Sequence, residues 1–211
     1  MRSKIWFFGD SITKGVGCLK GDPYHDSDKK IFVDIVSDTL GLSYKNYALD
    51  GASNEWILYN LLVYSNYMKP HDIVIVSDSL PWGTMMYNKE KDKLVTINDL
   101  WIRQNDFLYN NKEEKKIINN FVKLKRKYKD SFSDSFEKQI YSLKTLFKKN
   151  GVTLFFWSHK IWFENEGEFE TIYTATNGKI EDGHFSYNGH EKMANYILHL
   201  IDTNNKGKKI L

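Results

Sequence analysis

Ile5-Trp6-Phe7-Phe8-Gly9-Asp10-Ser11-Ile12-Thr13, close to the start of the chain, carries the first clue to the architecture. Its first four residues are a continuous aromatic and β-branched run, which reads as a strand buried on both faces. Gly9-Asp10 ends the run, and a helix should begin soon after Ser11. A strand that turns directly into a helix is the opening unit of a parallel α/β sheet. Two further runs have the same character: Ile73-Val74-Ile75-Val76 after Pro70-His71-Asp72, and Val152 to Trp157 after Asn150-Gly151. Tyr44 to Leu49 is a weaker fourth strand. Helical spacing lies between the strands. Ile31, Ile35, Val36 and Leu40 form one stripe, and Gly41 is placed to end it as a C′ glycine. Trp56, Ile57, Leu61 and Leu62 form a second stripe, and Phe136, Ile140, Leu143, Leu146 and Phe147 a third. Met193, Ile197, Leu200 and Ile201 lie on one face of a last helix from about Gly189 to Ile201. The expected fold is an α/β three-layer α/β/α sandwich with a parallel, flavodoxin-like sheet of about five strands.

Residues from about Leu80 to Asp134 break this alternation. A polar loop and a segment around Trp101 precede Lys112 to Tyr128, where Ile117, Ile118, Phe121, Val122 and Leu124 mark an amphipathic helix. We therefore expect one domain over residues 1–211 with a helical insertion at about 80–134. The run Lys123-Leu124-Lys125-Arg126-Lys127 is expected to be a solvated helix face.

Hydrophobic residues make up 41% of the 211 and aromatics 15%, enough for one sizeable core and too short a chain for two ordinary domains. Thirty basic residues against 27 acidic ones give a charge of +3. That balance does not point to nucleic acid, which needs basic residues gathered on one face. Cys18 is the single cysteine, so no internal disulfide supports the fold, and it reads as an inert buried thiol. The chain starts with a basic Met1-Arg2-Ser3-Lys4, but the apolar run behind it falls short of the roughly 7–15 residues of a secretory h-region. No stretch approaches the ~20 apolar residues of a membrane span. A soluble, cytoplasmic protein with no membrane partner is the expectation.

Ser11 is the first candidate for chemistry. A serine at a strand-to-helix turn sits at the carboxyl end of the sheet, where open α/β folds bind ligands. Its N–H, near a helix start, can help hold an oxyanion. Asp-Ser before a helix is also a common cap. The second candidate is Glu181-Asp182-Gly183-His184-Phe185-Ser186-Tyr187-Asn188-Gly189-His190. A serine hydroxyl needs a base to take its proton, and the base needs a carboxylate to fix its tautomer. This segment supplies both on one short loop.

Together these blocks resemble the SGNH (GDSL) hydrolase family. The resemblance rests on Gly9-Asp10-Ser11 near the N terminus, and on the acidic-Gly-His segment with Gly189-His190 and an apolar helix behind it. A middle block, Asn46-Tyr47-Ala48-Leu49-Asp50-Gly51-Ala52-Ser53-Asn54, is similar to the family's second block. The resemblance runs from residue 4 to about residue 201. It implies a serine esterase that needs no cofactor or metal, with Ser11 as nucleophile and His184 as base. Gly51 and Ser11 would donate backbone N–H groups to the oxyanion. The implied substrate is a small-molecule or carbohydrate ester carrying a short, acetyl-like acyl group, cleaved through an acyl-enzyme.

Two departures from the family pattern stand out. The third block usually reads Gly-x-Asn-Asp and supplies an asparagine to the oxyanion, but here the strand runs into Ser77-Asp78-Ser79-Leu80-Pro81-Trp82-Gly83. Asn54 and Ser79 are the candidates to replace that donor, and Asp78 is expected to point away. The triad acid usually stands three residues before the histidine, where this chain has Glu181. Asp182, two residues before it, is favoured, with Glu181 as the alternative. His190 is expected to be a structural hydrogen-bonding residue. His159 either lines the site or lies on a surface loop. Trp82, Trp101 and Trp162 could flank the cleft and stack on sugars. The rival functions are an O-acyltransferase to a sugar hydroxyl and a catalytically weak carbohydrate-binding module on the same fold.

Overall fold

The computed structural model describes residues 3–79, 84–88, 93–97, 112–164 and 169–208. Strand β1 spans Lys4–Phe8 and leads into a short helix α1 at Ser11–Lys14. Helix α2 (Phe32–Leu40), strand β2 (Ser43–Asn46), helix α3 (Asn54–Ser65) and strand β3 (Ile73–Ser77) follow. Then come β4 (Thr84–Asn88), β5 (Lys93–Ile97), α4 (Lys112–Lys127) and α5 (Lys129–Lys149). The chain ends with β6 (Thr153–Trp157), the short helices α6 (His159–Glu164) and α7 (Ile172–Ala175), and α8 (Tyr187–Lys208).

β2, β1, β3 and β6 form one sheet in that order, and every pair in it is parallel. The central sheet thus has four strands among the described residues, against the expected five. Side chains alternate across it as the pleat requires. Ile5, Phe7, Ile75, Phe155 and Trp157 face one layer, where they pack with Phe32, Val33 and Val36 of α2 and with Met193, Ala194 and Ile197 of α8. Trp6, Phe8, Val74, Val76 and Leu154 face the other, against Ile57 and Leu61 of α3 and Phe136, Ile140 and Phe147 of α5. The result is the three-layer α/β/α sandwich. Because both of their faces are covered, β1, β3 and β6 carry continuous apolar runs rather than alternating ones, while the edge strand β2 is polar and mostly exposed.

Two features of the segment after β3 differ from the sequence reading. β4 and β5 form an antiparallel hairpin, from Thr84 opposite Ile97 to Asn88 opposite Lys93. The connecting Lys89-Glu90-Lys91-Asp92 lacks the Asn-Gly or Asp-Gly that announces a tight hairpin. In α4, Lys123 and Lys127 are exposed but Lys125 is buried. Its ammonium pairs with Glu55 of α3 at 2.5 Å and lies 5.0 Å from the centre of the Phe132 ring. A buried lysine is tolerated because these partners meet its charge.

Among the described residues no helix is long and apolar enough to cross a membrane. All the strand ends that matter for chemistry, after Phe8, Asn46, Ser77 and Trp157, lie at the same carboxyl edge of the sheet.

Candidate active site

Gly9 lets the chain leave β1 without collision. A Cβ there would stand 2.2 Å from both Ser77 Oγ and Thr13 Oγ1, so only hydrogen fits between the ends of β1 and β3. Asp10 then caps α1, its Oδ1 accepting from Ile12 N at 3.1 Å. Ser11 follows as the first helical residue and is half-buried. Thr13 behind it is fixed twice: its hydroxyl bonds Ser77 Oγ at 3.0 Å, and its carbonyl accepts from Asn46 Nδ2 at 3.0 Å. Gly15, in the left-handed region at φ 87°, closes the helix after one turn.

Gly51 is brought alongside by β2. Beyond the strand, Tyr47 N donates to Phe7 O and Leu49 N to Gly9 O, at 2.8 and 3.2 Å. This lateral pairing holds Leu49 beside Gly9, and the Asp50-Gly51 turn follows, closed by Ala52 N on Leu49 O at 3.0 Å. Among the described residues no hydrogen bond occupies the N–H of Ser11 or of Gly51. Ser53 caps α3, accepting from Trp56 N at 3.3 Å. Asn54, in the first turn of that helix, accepts Ser79 N on Oδ1 at 2.6 Å. That bond fixes the orientation of the amide, so Nδ2 is the half left to donate. Ser79 thus holds Asn54 through its backbone.

The acidic-Gly-His segment is stapled in place by Glu170 and the first two residues of α7. Ser186 N donates to Glu170 O, Ile172 N to His184 O and Tyr173 N to Asp182 O, each at 2.9 Å. Asp182 Oδ1 accepts from His184 N at 2.8 Å and meets His184 Nδ1 at 2.6 Å. Of the two acidic candidates, Asp182 is therefore the one joined to His184, and Glu181 is exposed. The loop sits on the residues that follow α1. Cys18 Sγ donates to Phe185 O at 3.5 Å, Tyr187 Oη donates to Cys18 O at 3.1 Å, and a Cβ on Gly17 would lie 3.1 Å from Asp182 Oδ2. No hydrogen bond joins Ser11 Oγ to His184.

A second cluster lies beneath these groups. His159 is 4% exposed, Asp10 5% and Asp78 4%. His159 Nε2 is 3.3 Å from Asp10 Oδ2, and Nδ1 is 2.8 Å from Asp78 Oδ1. Asp78 also accepts His159 N at 2.7 Å and Ser158 Oγ at 2.6 Å. Burial works against the charged ring, but Asp10 first and Asp78 second outweigh it and raise His159 to about 10. His159 is therefore no surface residue, and the Asp78 carboxylate is turned onto the end of β6. His190 is a further correction. Neither ring nitrogen is hydrogen-bonded to a described residue. The ring stacks on Phe32 at 5.9 Å and meets Phe185 edge-on at 5.7 Å. Burial, then His184, lowers its pKa to about 3. Trp82 and Trp101 lie outside the described residues, and Trp162 falls in α6.

Comparison with known proteins identifies the lineage. A family profile described as GDSL-like lipase/acylhydrolase matches residues 5–173. The chain belongs to this family. It is a serine ester hydrolase of the GDSL/SGNH type. The matched span contains Ser11, Gly51 and Asn54 and stops short of Asp182 and His184. A search of curated proteins finds no match. Among solved structures, a G-D-S-L family lipolytic protein from Veillonella parvula is 16% identical, covering 94% of this chain and 97% of its own, with a TM-score of 0.41. A lipase/acylhydrolase from Enterococcus faecalis is 17% identical, covering 96% and 97%, with a TM-score of 0.43. An acetylxylan esterase from Geobacillus stearothermophilus, solved as a catalytic mutant, is 15% identical, covering 93% of each chain, with a TM-score of 0.35.

Proposed function

We propose that this GDSL hydrolase cleaves a carboxylic ester with Ser11 as nucleophile, His184 as general base and Asp182 as the orienting acid. The observation that carries the reading is the Asp182–His184 pair, docked on Gly17 and Cys18 just after the short helix that begins at Ser11. Asp182 on Nδ1 fixes the imidazole tautomer and leaves Nε2 to accept the serine proton. Ser11 Oγ then attacks the acyl carbon, and the carbonyl oxygen becomes an oxyanion. The N–H groups of Ser11 and Gly51 and the Nδ2 of Asn54 are its donors, with Asn54 replacing the family's third-block asparagine. His184 returns the proton to the departing alcohol, and water repeats the sequence to release the acid.

The preferred substrate is a short, acetyl-like acyl group on a carbohydrate. A specific observation favours a second reading, a longer acyl chain. A cavity of about 390 Å³ runs along α3 from Asn54 and is lined by Leu58, Tyr59, Leu62, Phe132 and Phe136. A mostly apolar pocket with a few polar groups is the ordinary form of a small-molecule site.

Hydrolysis of a series of aryl esters from acetate to octanoate tests both points. Turnover by wild type and its loss in Ser11→Ala support the esterase reading. A rate that rises with chain length moves the substrate to the longer acyl class. Release of the acyl group onto an added sugar in place of water would identify an acyltransferase.

A further inference from the structure

We propose that His159 is a positioning residue for Ser11, acting through Asp10 as a clamp across the carboxyl ends of β1, β3 and β6. The inference rests on the reading of Ser11 as nucleophile. The three groups come from adjacent strands: Asp10 just past β1, Asp78 just past β3 and His159 just past β6. Each oxygen of Asp10 has its own work. Oδ1 holds Ile12 N, which starts α1 and sets the direction of the Ser11 side chain and N–H, while Oδ2 faces His159 Nε2. His159 is held from behind, since Asp78 Oδ1 meets both its backbone N–H and its Nδ1. Ser158 Oγ takes the other oxygen of Asp78.

The donor count decides the state of the ring. An ionised carboxylate only accepts, so a ring lying between two of them satisfies both only with a proton on each nitrogen. Asp10 and Asp78 are the charged groups that act on His159, and their balance against burial keeps it protonated. Two consequences follow. Asp10 is pulled into one orientation, so the turn bearing Ser11 is set before substrate arrives. One positive charge also sits between two buried carboxylates at the edge where the oxyanion forms. Without it, both carboxylates would oppose that developing charge.

The test uses the rate of phosphonylation by a fluorophosphonate probe, which reports the Ser11 nucleophile and oxyanion donors without turnover. His159→Gln, which keeps a polar side chain but removes the charge, is expected to slow labelling by about 10- to 100-fold near neutral pH. Amide exchange at Ile12 is expected to accelerate in the same variant as its acceptor loosens. In wild type the labelling rate should fall as pH rises through about 10, and in Asp78→Asn that fall should move to lower pH. The Asp78→Asn experiment also serves if His159→Gln does not fold. A folded His159→Gln that labels at the wild-type rate with an unchanged Ile12 amide overturns the proposal, as does an alkaline limb unmoved in Asp78→Asn. If wild type does not label at all, the nucleophile reading fails. Ile12 exchange then judges the clamp on its own.

Discussion

Glu181 and Asp182 are neighbouring carboxylates, and local geometry joins Asp182 to His184. An aspartate two residues before the histidine can fold back as an Asx turn, its oxygen accepting the backbone N–H two residues on. Asp182 Oδ1 does this to His184 N at 2.8 Å and reaches Nδ1 from the same position. The longer glutamate beside it stays exposed. Asp182→Asn is therefore expected to cut aryl-ester turnover by about 10⁴-fold with the fold intact, as loss of the tautomer-fixing carboxylate does in a serine triad. Glu181→Gln should leave turnover within about twofold. The reverse result would reassign the acid. Cys18 gives a second outcome at this scale. Burial first, then Asp182 and Asp22, push its thiol up to about 12. It should resist alkylation near neutral pH in the folded protein and react on unfolding, as mass spectrometry of native and denatured samples would read. Spacing alone left Glu181 and Asp182 both open, because their difference lies in a turn that closes only in three dimensions. His159 was harder to read. Its two carboxylate partners are 149 and 81 residues away in the chain, and only the strand order makes them neighbours.

Among elements, the loop that carries His184 depends on the segment at Glu170–Tyr173. Three backbone hydrogen bonds join them, and Ser186 Oγ adds a bond to Glu170 Oε1 at 2.5 Å. Gly189 sits where this pairing meets the first turn of α8. A Cβ there would lie 2.3 Å from Glu170 O, a backbone atom that cannot swing aside. Gly189→Ala is thus expected to destabilise the protein by about 1–3 kcal/mol, the ordinary cost of overpacking. It should also lower turnover more than substrate binding, because the displaced loop carries His184, the proposed base. Thermal unfolding together with kcat and KM on one ester checks both. The strands and helices of the main sheet were legible from their apolar runs. The β4–β5 hairpin was not, because its connection carries charged residues in place of a turn dipeptide. The burial of Lys125 was equally hidden, since it depends on Glu55 in a different helix.

For the whole molecule, two buried histidines set opposite pH limits. His159 rises from 6.5 unfolded to about 10 folded. Its contribution to stability is therefore full below 6.5 and is lost as pH climbs through about 10. His190 falls from 6.5 to about 3. It is neutral in the fold, and its contribution is full above 6.5 and is lost as pH drops towards 3. Stability should peak between these limits, near pH 6.5, and urea unfolding across the range reads the curve. His190→Phe, which keeps the packing with Phe32 and Phe185, should flatten the acid side, and His159→Gln the alkaline side. A curve without either limb would remove both assignments. Three-layer architecture and the order of the chemical blocks could be read from the chain. The cluster tying three strand ends together could not, because a sequence does not display which strands lie side by side.

Mapping a fluorophosphonate adduct by peptide mass spectrometry decides whether Ser11 is the nucleophile. One adduct is expected, on the peptide bearing Ser11. It should be absent in Ser11→Ala and strongly slowed in His184→Ala. An adduct on another serine, or undiminished labelling in Ser11→Ala, would contradict that role for Ser11.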